Sequence, residues 1–237
     1  MQTPIYLALD FASGKEALGF IRNNELKGIP IKIGMELFYK EGPAIVDAFK
    51  QDNHPIFLDL KLHDIPTTVK KAMKNVAILG VDMVNVHAFG GSEMIRAAKE
   101  GLLAGTNQKV PKLLAVTLLT SMDEATLNNE LHVTTGVETT VVALGELANN
   151  NGADGVVCSV HEVPMIKAAC GHEFLTVTPG IRLTESASHD QKRIATPKVA
   201  HQNGADHIVI GRSVTQAPNP KKAYEQAVEE WNHVTSN

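Results

Sequence analysis

The run Asp59-Leu60-Lys61-Leu62-His63-Asp64 sets a carboxylate, an ammonium and a second carboxylate at the end of an apolar stretch, Ile56-Phe57-Leu58. Strand side chains alternate between faces, so Asp59 and Lys61 share one face and Leu58, Leu60 and Leu62 the other. A leucine face suits packing under helices; the charged face needs another purpose. Charges withdrawn from water cost free energy unless they are paired. An ammonium held between carboxylates can stabilise negative charge growing on a substrate and then donate a proton. A structural Asp–Lys ion pair inside a barrel is the plainer reading of Asp59 and Lys61 alone. Asp64, just past the strand, turns the reading toward a catalytic site.

A second chemistry lies late in the chain. His207-Ile208-Val209-Ile210-Gly211-Arg212-Ser213 runs from an apolar strand into Gly, Arg and Ser. Gly211 permits close backbone approach, and Arg212 can make paired bonds to phosphate oxygens. Thr178-Pro179-Gly180-Ile181-Arg182 offers a second Gly–Arg element. Together they point to a phosphorylated small molecule. The sequence holds no GxxxxGK[ST] segment, no GxGxxG after the first strand, no HExxH and no CxxC, which disfavours nucleoside triphosphates, dinucleotides and the common zinc sites. His63 could join Asp59 or Asp64 on a metal, but a surface or supporting histidine fits it better. His87 reads as a polar residue at a strand end.

These residues need elements to place them. Strands read at Ile5–Asp10, Ile31–Met35, Ile56–Lys61, Met83–His87, Leu113–Leu119, Gly155–Val160, Leu175–Pro179 and His207–Gly211. They are nearly continuous apolar runs, as in a parallel sheet covered by helices. Helices read at Gly14–Asn23, Pro43–Lys50, Ile65–Leu79, Ser92–Leu103, Glu138–Asn150, Val163–Ala169, Pro197–Asn203 and Lys221–Asn232. This alternation predicts an α/β fold, a (β/α)8 barrel formed as a single domain over residues 1–237, with an open doubly wound sheet as the alternative. Asp10, Asp59, Lys61, His87, Thr120, Arg182 and Arg212 then fall at or just past C-terminal strand ends, with Lys32 inside strand 2. Barrel enzymes assemble their sites on that rim. Two long connections, Ser121–Glu130 and Arg182–Arg193, emerge there; the second reads equally as a lid or as an ordinary surface excursion.

The 237 residues are 43% hydrophobic and 20% charged, with a formal net charge of −4 and mixed signs throughout. Nothing forms a basic stripe for nucleic acid. No apolar run reaches membrane-spanning length. Met1-Gln2-Thr3-Pro4-Ile5 lacks a basic region leading into an apolar signal core, and Cys158 and Cys170 make no disulfide framework. A cytoplasmic protein is the expectation.

The chain strongly resembles orotidine 5′-phosphate decarboxylases of the bacterial type. Asp59-Leu60-Lys61-Leu62-His63-Asp64-Ile65-Pro66-Thr67-Thr68 matches the family's DxKxxDIPxT pattern. The likeness continues through Asn85-Val86-His87-Ala88, Val116-Thr117-Leu118-Leu119-Thr120-Ser121, Thr178-Pro179-Gly180-Ile181-Arg182, Gln191 and Ile210-Gly211-Arg212. The resemblance implies that Lys61 protonates pyrimidine C6 beside Asp59, and that Lys32 and Asp64 complete an alternating charge row. It implies a homodimer in which Asp64 and Thr68 reach the partner's site. Asp10 and Lys32 would contact the ribose, Thr120 and Ser121 the pyrimidine, and Gln191 would bridge pyrimidine and phosphate. Pro179, Arg182, Gly211 and Arg212 would grip the phosphate. It implies no cofactor and no metal. DxKxxD alone also occurs in sugar-phosphate decarboxylases and synthases of the same superfamily, often metal-dependent. That activity and a non-catalytic nucleotide-binding barrel are the alternatives.

Overall fold

The eight apolar runs form eight parallel strands that close on themselves in the order β1 to β8. These are β1 (Ile5–Ala8), β2 (Ile31–Gly34), β3 (Ile56–Leu62), β4 (Met83–His87), β5 (Lys112–Val116), β6 (Gly155–Val157), β7 (Leu175–Ile181) and β8 (His207–Ile210). Pairing of Ile5 with Ile208 and of Leu7 with Ile210 seals the ring. The computed structural model describes residues 3–184 and 195–232. The expected barrel is therefore the fold, and the open sheet is excluded.

Strand alternation produces two apolar layers. Tyr6, Phe57, Met83, Leu114, Val116, Val157, Val177 and Val209 fill the barrel. Leu7, Ile33, Leu58, Leu60, Val84 and Ile208 face outward and pack under the helices, as the leucine face of the third strand requires. The helices are α1 (Gly14–Asn23), α2 (Met35–Glu41), α3 (Ala44–Lys50), α4 (Pro66–Ile78), α5 (Gly91–Gly105), α6 (Val137–Asn150), α7 (Val163–Cys170), α8 (Pro197–Gln202), α9 (Arg212–Thr215) and α10 (Pro220–Asn232). Ser13 caps α1 by accepting the Glu16 amide, and Thr196 caps α8 by accepting that of Val199. Pro66 starts α4 at a position where a missing N–H costs nothing.

Several boundaries differ from the sequence reading, each for a local reason. α2 begins directly at Met35, the residue expected to end strand 2, with Gly34 still extended as the last residue of the strand. β5 ends at Val116 rather than Leu119, and β6 at Val157 rather than Val160. The polar connection after β5 contains a π-helical turn at Thr126–Glu130. β7 instead runs past Pro179 to Ile181. There the β7–β8 register slips by one residue, from Thr178↔Ile208 to Ile181↔Ile210, and Gly180 takes φ +80°. Such a bulge re-aims the strand end.

The larger irregularity lies in β3. Leu58 pairs with Val84 and Leu62 with Val86, so four steps of β3 run against two of β4. Within this excess Lys61 adopts φ +51°. For a residue with a Cβ that region costs about 1–3 kcal/mol, and it persists only where the surroundings hold it. The chain thus stores backbone strain at the residue that the family resemblance implies is the proton donor.

Candidate active site

β1, β2 and β3 align their C-terminal ends so that four charged side chains form an alternating row. Lys32 Nζ lies 3.0 Å from Asp10 Oδ1 and 3.4 Å from Asp59 Oδ2. Lys61 Nζ lies 2.6 Å from Asp59 Oδ1. Lys32 and Asp59 are each only 9% exposed, whereas Asp10 stands in the open mouth. Gly34 makes the row possible, because a Cβ there would sit 3.1 Å from Lys32 Nζ and 3.3 Å from Asp10 Oδ1.

Burial is the strongest influence on Asp59 and pushes its pKa up. The opposing pull of Lys32 and Lys61, with hydrogen bonds from Lys61 and Asn85, leaves it below the ordinary carboxylate value. Asp59 is therefore an anion at neutral pH.

The row lines one wall of a cavity of about 380 Å³. Ala8, Phe57, Val116, Val157 and Val209 form its apolar floor, and Leu119, Thr120 and Ser121 its rim. Pro179, Gly180, Arg182, Gly211 and Arg212 line the same cavity from the ends of β7 and β8. Burial, and then the neighbouring Arg212 charge, lower the Arg182 pKa. Among the described residues no carboxylate pairs with either arginine. Two guanidiniums on one wall without a counter-charge make an anion receptor, with the Gly180 bulge and Gly211 leaving room for backbone approach.

Asp10, Lys32, Asp59, Lys61, Thr120, Ser121, Pro179, Arg182, Gly211 and Arg212 are thus brought to one cavity. Asp64 and Thr68 are not. Asp64 is exposed, its Oδ1 accepts the Ile65 amide at 2.6 Å, and no ion pair joins it to Lys61 within the chain. Thr68 is exposed on the first turn of α4. Gln191 and most of the Arg182–Arg193 connection lie outside the described residues. His63 stacks on His87 with ring centroids 5.6 Å apart. Among the described residues no group of three or more His, Cys, Asp and Glu side chains is placed to hold a metal.

Two contributors carried no role in the sequence reading. Gly34 was legible as a glycine at a strand end beside a charged neighbour. Asn85 was legible as a polar residue on the same face of β4 as Met83, inside an apolar run. It lies behind the charge row and is fully buried.

Comparison with known proteins gives one answer along the whole chain. The family described as "Orotidine 5'-phosphate decarboxylase / HUMPS family" matches residues 3–227. The chain is 54% identical over 227 residues to the orotidine 5′-phosphate decarboxylase of Bacillus pumilus, covering 95% of this chain and 97% of that one. It is 52% identical to the protein of that name from a Geobacillus species, covering 98% of each. The crystal structure of orotidine 5′-phosphate decarboxylase from Lactobacillus acidophilus superposes with a TM-score of 0.87 at 43% identity, covering 98% of this chain and 100% of that one. That from Pyrococcus horikoshii superposes at 0.75 with 25% identity, covering 97% and 100%. Barrel, motif and full-length similarity agree: the chain belongs to the orotidine 5′-phosphate decarboxylase / HUMPS family.

Proposed function

We propose that this chain removes carbon dioxide from orotidine 5′-monophosphate to give uridine 5′-monophosphate, a step of pyrimidine biosynthesis, and that it does so without a metal. It is a carbon–carbon lyase. The observation that carries the reading is the Asp10–Lys32–Asp59–Lys61 row and the Arg182–Arg212 pair lining one cavity. A nucleotide monophosphate has the matching layout, with a dianion at one end and a reacting ring at the other.

The substrate carboxylate leaves as carbon dioxide, and its bonding electrons stay on C6. The ring offers that pair little delocalisation, so fixed charge must stabilise it. The Lys61 ammonium supplies that charge and then transfers a proton to C6; the amine left behind recovers a proton from water. Asp59 holds the ammonium in place, and its proximity to the departing carboxylate suits a group that leaves as a neutral molecule. Lys32 and Asp10 take the ribose hydroxyls, Thr120 and Ser121 the pyrimidine, and Gln191 joins pyrimidine to phosphate. Binding energy from the phosphate grip then organises the row for the transition state.

The reading includes a homodimer with shared sites. Asp64 and Thr68 are exposed at the start of α4, next to Ile65, an apolar side chain that is 64% exposed. A partner subunit seated there would cover Ile65 and receive Asp64 beside its own Lys61. The reading also places the protein in the cytoplasm, where Cys158 and Cys170 stay free thiols.

An absorbance assay for loss of orotidine 5′-monophosphate, run with a chelator, tests the reaction. Wild-type protein should turn over undiminished. Lys61→Ala should lose turnover while still binding uridine 5′-monophosphate measurably. Near-normal decarboxylation by that variant would remove Lys61 as the essential acid, and chelator-sensitive turnover of a sugar phosphate in place of orotidine 5′-monophosphate would return the sugar-phosphate reading.

A further inference from the structure

Asn85 meets the charge row at two points. Its Nδ2 donates to Asp59 Oδ1 at 2.7 Å, and its Oδ1 accepts the Lys61 backbone N–H at 2.7 Å. The same Asp59 oxygen receives Lys61 Nζ at 2.6 Å. One buried amide therefore ties the carboxylate to the backbone of the residue that bears the ammonium.

Strand geometry explains why a side chain must do this. Between Leu58↔Val84 and Leu62↔Val86 the β3 strand carries two more residues than β4. The regular ladder is interrupted there, so the Lys61 amide is served by a side-chain carbonyl on β4. Lys61 stands in the left-handed region at φ +51°. In that conformation Lys61 Nζ contacts Asp59 Oδ1 at 2.6 Å. Among the described residues no other side chain bonds both the row and the Lys61 backbone.

We propose, resting on the decarboxylase reading, that Asn85 is the positioning residue of the charge row: it clamps Lys61 in its left-handed conformation and fixes the Asp59 carboxylate, so that the ammonium is presented to the reacting carbon. Asn85 touches no substrate; it acts through Lys61 and Asp59. Arg182 and Arg212 follow β7 and β8, and among the described residues neither bonds to Asn85, so the phosphate grip does not depend on it.

The test compares full-length wild type with Asn85→Ala, using soluble protein whose thermal melt confirms folding. A displaced reacting group costs about a hundredfold in rate. The expected result is therefore a kcat lower by about tenfold or more, with KM within about threefold of wild type. Any other combination in a folded variant overturns the inference, including an unchanged kcat accompanied by a lower melting temperature, which is what a purely structural asparagine gives. A second measurement needs no variant. Hydrogen exchange on the wild-type protein should find the Lys61 amide strongly protected; exchange at the rate of an open loop amide overturns the clamp. If wild type does not decarboxylate orotidine 5′-monophosphate, the functional reading fails, while the exchange experiment still reports on the Asn85–Lys61 contact.

Discussion

Asp59 is pulled in two directions. Burial raises its pKa, while Lys32 and Lys61 outweigh burial and lower it. A carboxylate whose folded pKa lies below its unfolded value adds stability above the unfolded value, about 3.9, and loses it as pH falls through the folded pKa. Asp59→Asn should therefore be less stable than wild type near neutral pH, because two ammoniums then flank an uncharged amide. The gap should narrow as pH drops below about 4. Urea unfolding of both proteins from pH 7 to pH 3 measures it. A gap that stays constant or widens in acid would mean that the carboxylate gains nothing from its neighbours. At this scale the sequence told much. Asp59 and Lys61 were legible because alternation forces them onto one face, and Arg182 and Arg212 because each follows a glycine at a strand end. The left-handed Lys61 was not legible, since nothing in lysine's type favours that conformation and only the register against β4 creates it.

Asp64 lies in the connection from β3 to α4, and α4 is seated chiefly on α5. Gly101 sits where the two helices meet, and a Cβ built on it would clash with the Lys70 carbonyl. Gly105 stands in the same relation to the Lys74 carbonyl. Lys70 Nζ reaches Glu100 Oε2 at 2.6 Å across the same seam, an exposed pair that adds little. Glycine is poor inside a helix, so its use at both positions reflects how closely the backbones approach. Gly101→Ala gains helix propensity but meets a carbonyl that cannot rotate away. The net expectation is a loss of about 1–3 kcal/mol, the range for overpacking a tight contact, read as a lower urea midpoint with an unchanged slope. A more stable variant would show that α4 shifts freely on α5. The helices were legible to within a residue or two, because apolar residues recur along them and Pro or Gly marks their ends. α2 was missed because it continues a strand without a polar break, and β5 was overextended because Thr117-Leu118-Leu119 keeps a strand-like composition after pairing has stopped.

For the whole molecule, the unresolved relation is between Asp64 and Lys61. One barrel brings Asp10, Lys32, Asp59 and Lys61 into contact and leaves Asp64 outside, bonded among the described residues only to the next amide. The barrel was legible from the strand–helix alternation, but a second copy of the chain leaves no mark on a single sequence other than exposed apolar residues such as Ile65. If Asp64 serves the partner's site, Lys61→Ala and Asp64→Ala are each inactive alone yet complement when mixed. A hybrid dimer then has one site lacking both groups and one site with both intact. Refolding an equal mixture makes about half the dimers hybrid by random pairing of a two-fold assembly. About a quarter of wild-type activity should return, since each hybrid has one native site of its two. If each site were built from one chain, both sites of the hybrid would stay defective and mixing would restore nothing. Because complementation requires two chains in one particle, the hybrid activity should also disappear on dilution below the dimer dissociation constant and return on concentration.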